Sequence, residues 1–202
     1  MRRTKPLISA VVLAAGHSAR FGEPKQLLKV GKKNLLETVV HGFLSSSVDE
    51  VVVVLGFRAK EILANSELGA ARVVVNHDYE LGLGTSLKRG IEEANPEASA
   101  AIVALGDQPV LSVNTINAII RKYSETRGQI VAPFYGRRRG NPVLFDKSLF
   151  PELRNVVGDE GAKRVIGRME EKIVKVSVDD PGVVFDIDTE SDYRRLLTML
   201  ES

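Results

Sequence analysis

Leu7-Ile8-Ser9-Ala10-Val11-Val12-Leu13-Ala14-Ala15-Gly16-His17-Ser18-Ala19-Arg20-Phe21-Gly22-Glu23-Pro24-Lys25-Gln26 is the stretch on which the fold is read. Its first half is a short, unbroken apolar run closed by small residues and a glycine. A strand covered on both faces has this form, because neither face needs polar side chains. A basic start (Met1-Arg2-Arg3-Thr4-Lys5) before a short apolar run also has the outline of a secretory segment. The strand reading is preferred because Gly16 to Gln26 has the composition of the strand's own functional loop. No segment reaches the ~20 apolar residues of a membrane span, and the expectation is a cytoplasmic protein.

Further along the chain the same kind of run returns at Glu50–Leu55, Ala71–Val75, Ala101–Leu105, Gln129–Ala132, Pro142–Phe145, Ile173–Val178 and Val183–Phe185. Helical spacing lies between several of them. Leu35, Leu36, Val39, Val40 and Phe43 share one face, as do Ile116, Ile119, Ile120 and Tyr123, and later Tyr193, Leu196, Leu197 and Leu200. Alternating strands and helices predict an α/β chain with a mainly parallel sheet and helices on both faces. Pro133, Gly136, Gly140 and Pro142 interrupt the pattern around Arg137-Arg138-Arg139, which reads as an excursion across the mouth of the sheet. No linker or repeat divides the chain, so residues 1–202 are read as one domain.

Composition narrows the function. The 202 residues hold 28 basic and 26 acidic side chains and no cysteine. Thiolate metal sites and cysteine nucleophiles are therefore excluded. A net charge of +2 gives no broad nucleic-acid surface. The charge is segregated, however. Five bases and one acid lie between Arg20 and Lys33, while six acids and no base lie between Val178 and Asp192.

Ligands of open α/β sheets bind beyond the carboxyl ends of the strands, and four loops there carry unusual residues. Leu13 to Gln26 offers small residues, free N–H groups and the cations Arg20 and Lys25, a phosphate cradle or a tight solvated turn. It is neither a Walker loop nor a dinucleotide fingerprint, since Ser18 stands where a glycine is needed and Leu55-Gly56 where a ribose-binding acid is needed. In Gly82-Leu83-Gly84-Thr85-Ser86-Leu87, Thr85 or Ser86 is predicted to cap a helix. Asp107, in Gly106-Asp107-Gln108-Pro109, follows a buried strand and suits either Mg²⁺ or a turn. Asp186 and Asp188, in Asp186-Ile187-Asp188-Thr189, are predicted to share one side of a strand, with Asp188 or Thr189 starting the last helix.

Together these loops, with Arg139-Gly140-Asn141-Pro142-Val143-Leu144 and Gly158-Asp159-Glu160-Gly161-Ala162, resemble nucleotidyltransferases of the MobA/MocA kind, most closely the molybdenum cofactor cytidylyltransferases. The resemblance runs from about Ile8 to the last helix. It implies a three-layer, Rossmann-like nucleotidyltransferase fold with a mostly parallel, mixed sheet. It also implies transfer of a nucleotidyl group from a nucleoside triphosphate to an acceptor phosphate, with loss of pyrophosphate. Arg20 and Lys25 would be catalytic, and Leu13, Ala14, Ala15, Gly16, Lys25, Gly84, Thr85 and Ser86 would bind nucleotide. Asp107, Asp186 and Asp188 would hold Mg²⁺. Arg139, Asn141 and Gly161 would face a phosphorylated pterin or similar acceptor. Ala15, where guanylyl-transferring relatives tend to have glycine, favours CTP over GTP. The alternatives are a guanylyltransferase of the same cofactor, a cytidylyltransferase for methylerythritol phosphate or a sugar phosphate, and a non-catalytic nucleotide binder.

Overall fold

The computed structural model describes residues 5–17 and 21–201. The basic start before Lys5 and the Arg20 cation therefore lie outside the described residues. In chain order the elements are β1 (Ile8–Ala14), β2 (Lys29–Val30), β3 (Lys33–Asn34), α1 (Leu35–Leu44), β4 (Glu50–Leu55), α2 (Ala59–Ala64), β5 (Arg72–Val75), α3 (Leu83–Glu93) and β6 (Ala100–Leu105). They continue with α4 (Val113–Thr126), β7 (Ile130–Tyr135), β8 (Arg138–Arg139), β9 (Val143–Asp146), α5 (Phe150–Leu153), α6 (Lys163–Arg168), β10 (Ile173–Ser177) and α7 (Glu190–Glu201).

The large sheet runs β10-β7-β9-β6-β1-β4-β5, with β8 paired to β7. β9 is antiparallel to both of its neighbours, and the other pairs on this path are parallel. The chain leaves β1 on one side for β4 and β5, then returns to β6 on the other side. That reversal opens a crevice at the carboxyl ends of β1 and β6, where ligands of such sheets bind.

β1 shows why its sequence lacks alternation. Ile8, Ala10 and Val12 point into a core shared with α1, α2 and α4. Val11, Leu13 and Ala15 point into a second core shared with α3, α5 and α6. Fully burying a valine or leucine contributes roughly 1.5–3 kcal/mol, so a chain of this size is held chiefly by these two layers. α1 begins cleanly because Asn34 and Glu37 form a reciprocal capping box. A third, smaller cluster (Leu28, Val30, Leu35, Phe185, Ile187 and Leu196) clamps α7 over the β2–β3 hairpin. It fixes the backbone on either side of Asp186.

One predicted strand is absent. Residues 181–184 form a single 3-10 turn. Pro181 and Gly182 favour a turn here, and the Asp180 carboxylate caps it by accepting from Gly182 N. The arginine excursion is a tight hairpin, with Phe134 opposite Arg139 and Tyr135 opposite Arg138. Among the described residues, no helix is long and apolar enough to cross a membrane.

Candidate active site

At the end of β1 the backbone is pinned from both sides, with Gly106 N donating to Leu13 O and Phe57 N to Ala15 O. A side chain at Gly106 would place its Cβ 2.8 Å from that of Ala14, so only glycine permits this approach. Gln26 is almost wholly buried and donates its Nε2 to Ala14 O at 2.9 Å. That bond folds the loop back over the crevice and aims the adjacent Lys25 at the end of β6.

Lys25 Nζ donates to Asp107 Oδ2 at 2.6 Å, to Ile187 O at 3.0 Å and to Asp188 Oδ1 at 3.1 Å. Burial on its own lowers the pKa of this ammonium, but the charge of Asp107 and the bonds to Asp107 and Asp188 outweigh it, and the net shift is upward. Gln108, also buried, donates its amide to Asp186 Oδ1 and, at 3.4 Å, to Val183 O. Burial first, and the charge of Asp107 second, push the Asp186 carboxyl above its ordinary value despite the Gln108 bond. Asp107 Oδ1 and Gln108 Oε1 are buried and have no hydrogen-bond partner among the described residues.

Lys25 thus draws Asp107 and Asp188 together, and Asp186 lies on the same cleft wall, held by Gln108. Among the described residues no group of three or more His, Cys, Asp or Glu is arranged to hold a metal ion. The chemistry of the set still suits a divalent cation. Asp107 keeps an unused buried oxygen, and Asp186 is burdened by a neighbouring negative charge that a cation would offset. Asp186 and Asp188 do not share a strand face. They sit in irregular chain, one turned to Gln108 and the other to Lys25. The last helix is capped by a reciprocal pair, Thr189 N to Asp192 Oδ2 and Asp192 N to Thr189 Oγ1. The Asp188 side chain is therefore left for the site.

The second predicted loop is corrected in detail. α3 starts at Leu83, with Gly82 as its cap at φ 105°, so neither Thr85 nor Ser86 is the cap. Both side chains instead accept from the buried Asn76 amide, Thr85 at 2.8 Å and Ser86 at 3.0 Å. Gly84 packs on the Val156 carbonyl. Gly82, Leu83 and Ser86 line the cleft, whereas Gly84 and Thr85 support it from behind.

Two open pockets share Ala15, Gly16, His17 and Leu83 and so form one cleft. The part of about 290 Å³ holds Leu13, Ala14, Lys25, Asp107, Asp186 and Asp188. The part of about 420 Å³ extends to Tyr79, Ser86 and Asp159. His17 lies 4.0 Å from Phe57, which leads to Tyr79 at 6.3 Å between ring centroids. This aromatic row, with Gln26, Asn76 and Gln108, was missed in the sequence. A lone His or Asn in a loop carries no spacing signal, although Gln26 and Gln108 do stand beside singled-out residues.

The three proposed acceptor residues are not gathered together. Arg139 is exposed on the hairpin and lines a separate pocket. Asn141 uses its backbone N–H to reach Val183 O at 2.8 Å. Gly161 lies against the Leu83 side chain.

The sheet order, the crevice and the Lys25 cluster define an α/β nucleotide-handling site, and comparison with known proteins fixes its class. Residues 10–173 match the MobA-like NTP transferase domain, and the chain belongs to that family. It is 34% identical over 201 residues to nicotine blue oxidoreductase of Paenarthrobacter nicotinovorans, covering 95% of this chain and 97% of that protein. It is 31% identical to the purine catabolism protein PucB of Bacillus subtilis, over 93% and 95%. The molybdenum cofactor cytidylyltransferase of Escherichia coli is 24% identical, over 92% and 93%. Among solved structures, Rv0371c of Mycobacterium tuberculosis superimposes with a TM-score of 0.88 at 33% identity, over 99% of this chain and 100% of that one. The same protein has been solved in complex with manganese (TM-score 0.82, 30% identity, 95% and 98% coverage).

Proposed function

We propose that this nucleotidyltransferase moves CMP from CTP to the phosphate of molybdopterin or a similar phosphorylated acceptor and releases pyrophosphate, with residues 1–202 acting as one domain in the cytoplasm. The observation that carries the reading is the cluster at the end of β6. There a half-buried cation and three carboxylates face a cleft bounded by small residues, and one carboxylate oxygen has no partner among the described residues.

An acceptor phosphate is already a nucleophilic anion, so no general base is required. The work left to the protein is positioning and charge neutralisation at the phosphates. Lys25 would turn from Asp107 to the triphosphate, and Arg20 would join it. Asp107 and Asp186, with Asp188 beside them, would hold Mg²⁺. A bound divalent cation would neutralise charge on the phosphates as they separate. Leu13–Gly16 would present their backbone to the base and ribose, and Ser86 with Gly82 would close the far wall. Ala15 in place of glycine supports CTP over GTP.

The test is pyrophosphate release from CTP, GTP and ATP in the presence of Mg²⁺ and molybdopterin. CTP is expected to be the best substrate by at least tenfold in kcat/KM. A preference for GTP would replace the cytidylyl reading with the guanylyl one. The name of the 34% identical relative supplies one specific competitor, an oxidoreductase. Ser18 in the phosphate loop argues against a dinucleotide fold, and a fluorescence titration with NADPH is expected to show no binding.

A further inference from the structure

A second open pocket, of about 430 Å³, shares none of the described lining residues with the Lys25 cleft. Arg137 and Arg139 reach it from the β7–β8 hairpin, Lys163 from the start of α6 and Lys175 from the middle of β10. Among the described residues Glu170 is the only acid on its wall. None of the four cations makes an ion pair or side-chain hydrogen bond with a described residue. The neighbouring Arg168, by contrast, is paired with Glu152. Three separate elements thus bring like charges together at a cost in repulsion. A bound anion would remove that cost, and the two guanidinium groups are suited to grip phosphate or carboxylate in a forked manner.

The floor is of a different character. Phe134, Ile166 and Ile173 form it, and Lys175 Nζ lies 5.0 Å from the centroid of the Phe134 ring. An apolar floor with an aromatic ring, under a ring of cations, complements a flat ligand with charged substituents.

The pocket lies over the outer strands β7 and β10, and its hairpin wall stands at the carboxyl end of β7. β6 and β7 both run antiparallel to β9, so their carboxyl ends point the same way. Two strand spacings, about 10 Å, separate β6 from β7. The hairpin root is also tied to the carboxylate segment. A Cβ on Gly140 would collide with Val183, and the Val183 carbonyl accepts from both Asn141 N and the Gln108 amide that holds Asp186.

We propose that this pocket is a second small-molecule site, distinct from the nucleotide cleft, for a planar ligand carrying at least two negative charges. Its assignment to the body of the acceptor rests on the transfer reading above; the site itself does not. The probe is 1-naphthyl phosphate, a flat dianion, followed by calorimetry or fluorescence at low salt. Saturable binding is expected, at least tenfold tighter than that of uncharged 1-naphthol. Arg139→Gln and Lys175→Gln should each weaken it about tenfold, while Lys60→Gln on the distant α2 should change it less than twofold. Saturating CTP should leave the probe bound. Displacement by CTP, equal binding of 1-naphthol, or indifference to Lys175→Gln would each overturn the inference. CTP affinity is measured separately in the wild type and in Lys25→Gln. A protein that binds the probe but not CTP would refute the transfer reading and keep the pocket, and the reverse result would refute the pocket alone.

Discussion

Asp180 and Asp107 are both buried or nearly so, both follow extended chain, and both belong to turns containing proline and glycine. Their surroundings are opposite. The two oxygens of Asp180 accept from Gly182 N (2.9 Å), Ser112 N (3.0 Å) and Thr115 Oγ1 (2.6 Å), which joins the start of α4 to the 3-10 turn. Asp107 gives one oxygen to Lys25 and leaves the other without a partner among the described residues. A fully satisfied carboxylate holds structure, and one kept below its capacity waits for a ligand. The difference marks Asp107 as the functional candidate of the two without reference to sequence motifs.

The sharpest way to break this contrast is Asp107→Asn. Pyrophosphate release should fall by about 10² or more, by analogy with the loss of other transition-state charge contacts, while circular dichroism and Tm stay close to wild type. Retained turnover would mean that Asp107 is structural after all. The mirror substitution, Asp180→Asn, turns one acceptor into a donor facing a donor. It should cost about 2 kcal/mol and lower Tm by about 4–8 °C, leaving KM for CTP within about twofold when assayed well below that Tm. Asp186→Asn should have the smallest effect on the free protein. The Asp186 pKa is raised by burial and by Asp107, so its ionised form weighs against folding. Stability from this group is gained as pH falls through the raised folded value and is absent well above it. The variant should therefore melt slightly higher than wild type at pH 8, and the gap should close towards pH 4. A constant gap across that range would refute the electrostatic account.

Most of the architecture was legible in the chain, for a simple reason. Runs such as Val51–Leu55 are buried on both faces, and helical faces such as Leu36, Val39, Val40 and Phe43 on one, so pattern and burial agree. The failure at Val183–Phe185 is equally physical. Those apolar residues are buried by tertiary packing around Asp180, and the proline and glycine before them decide the local shape. In the site, Lys25, Asp107, Asp186 and Asp188 could be picked out because charged residues beside buried strands need a reason. Their mutual arrangement could not, since the bonds linking them are made only when distant loops meet. The same holds for Asn76, whose amide organises Thr85 and Ser86. The acceptor residues diverged because the Asn141 backbone is bonded to Val183 and Gly161 packs on Leu83, two contacts with distant segments.

The span of the Lys25 contacts has a bearing on how the molecule comes into being. Lys25 meets Asp107 across 82 positions and Asp188 across 163. During synthesis, a ribosome that has delivered β1 through β9 has already released most strands of the sheet, but the segment carrying Asp186 and Asp188 is still unmade. The Lys25 cluster is thus among the last contacts to close, and the loop that closes it is nearly as long as the chain. A growing chain has its scaffold before it has this cluster, which closes only when the segment ahead of α7 has docked.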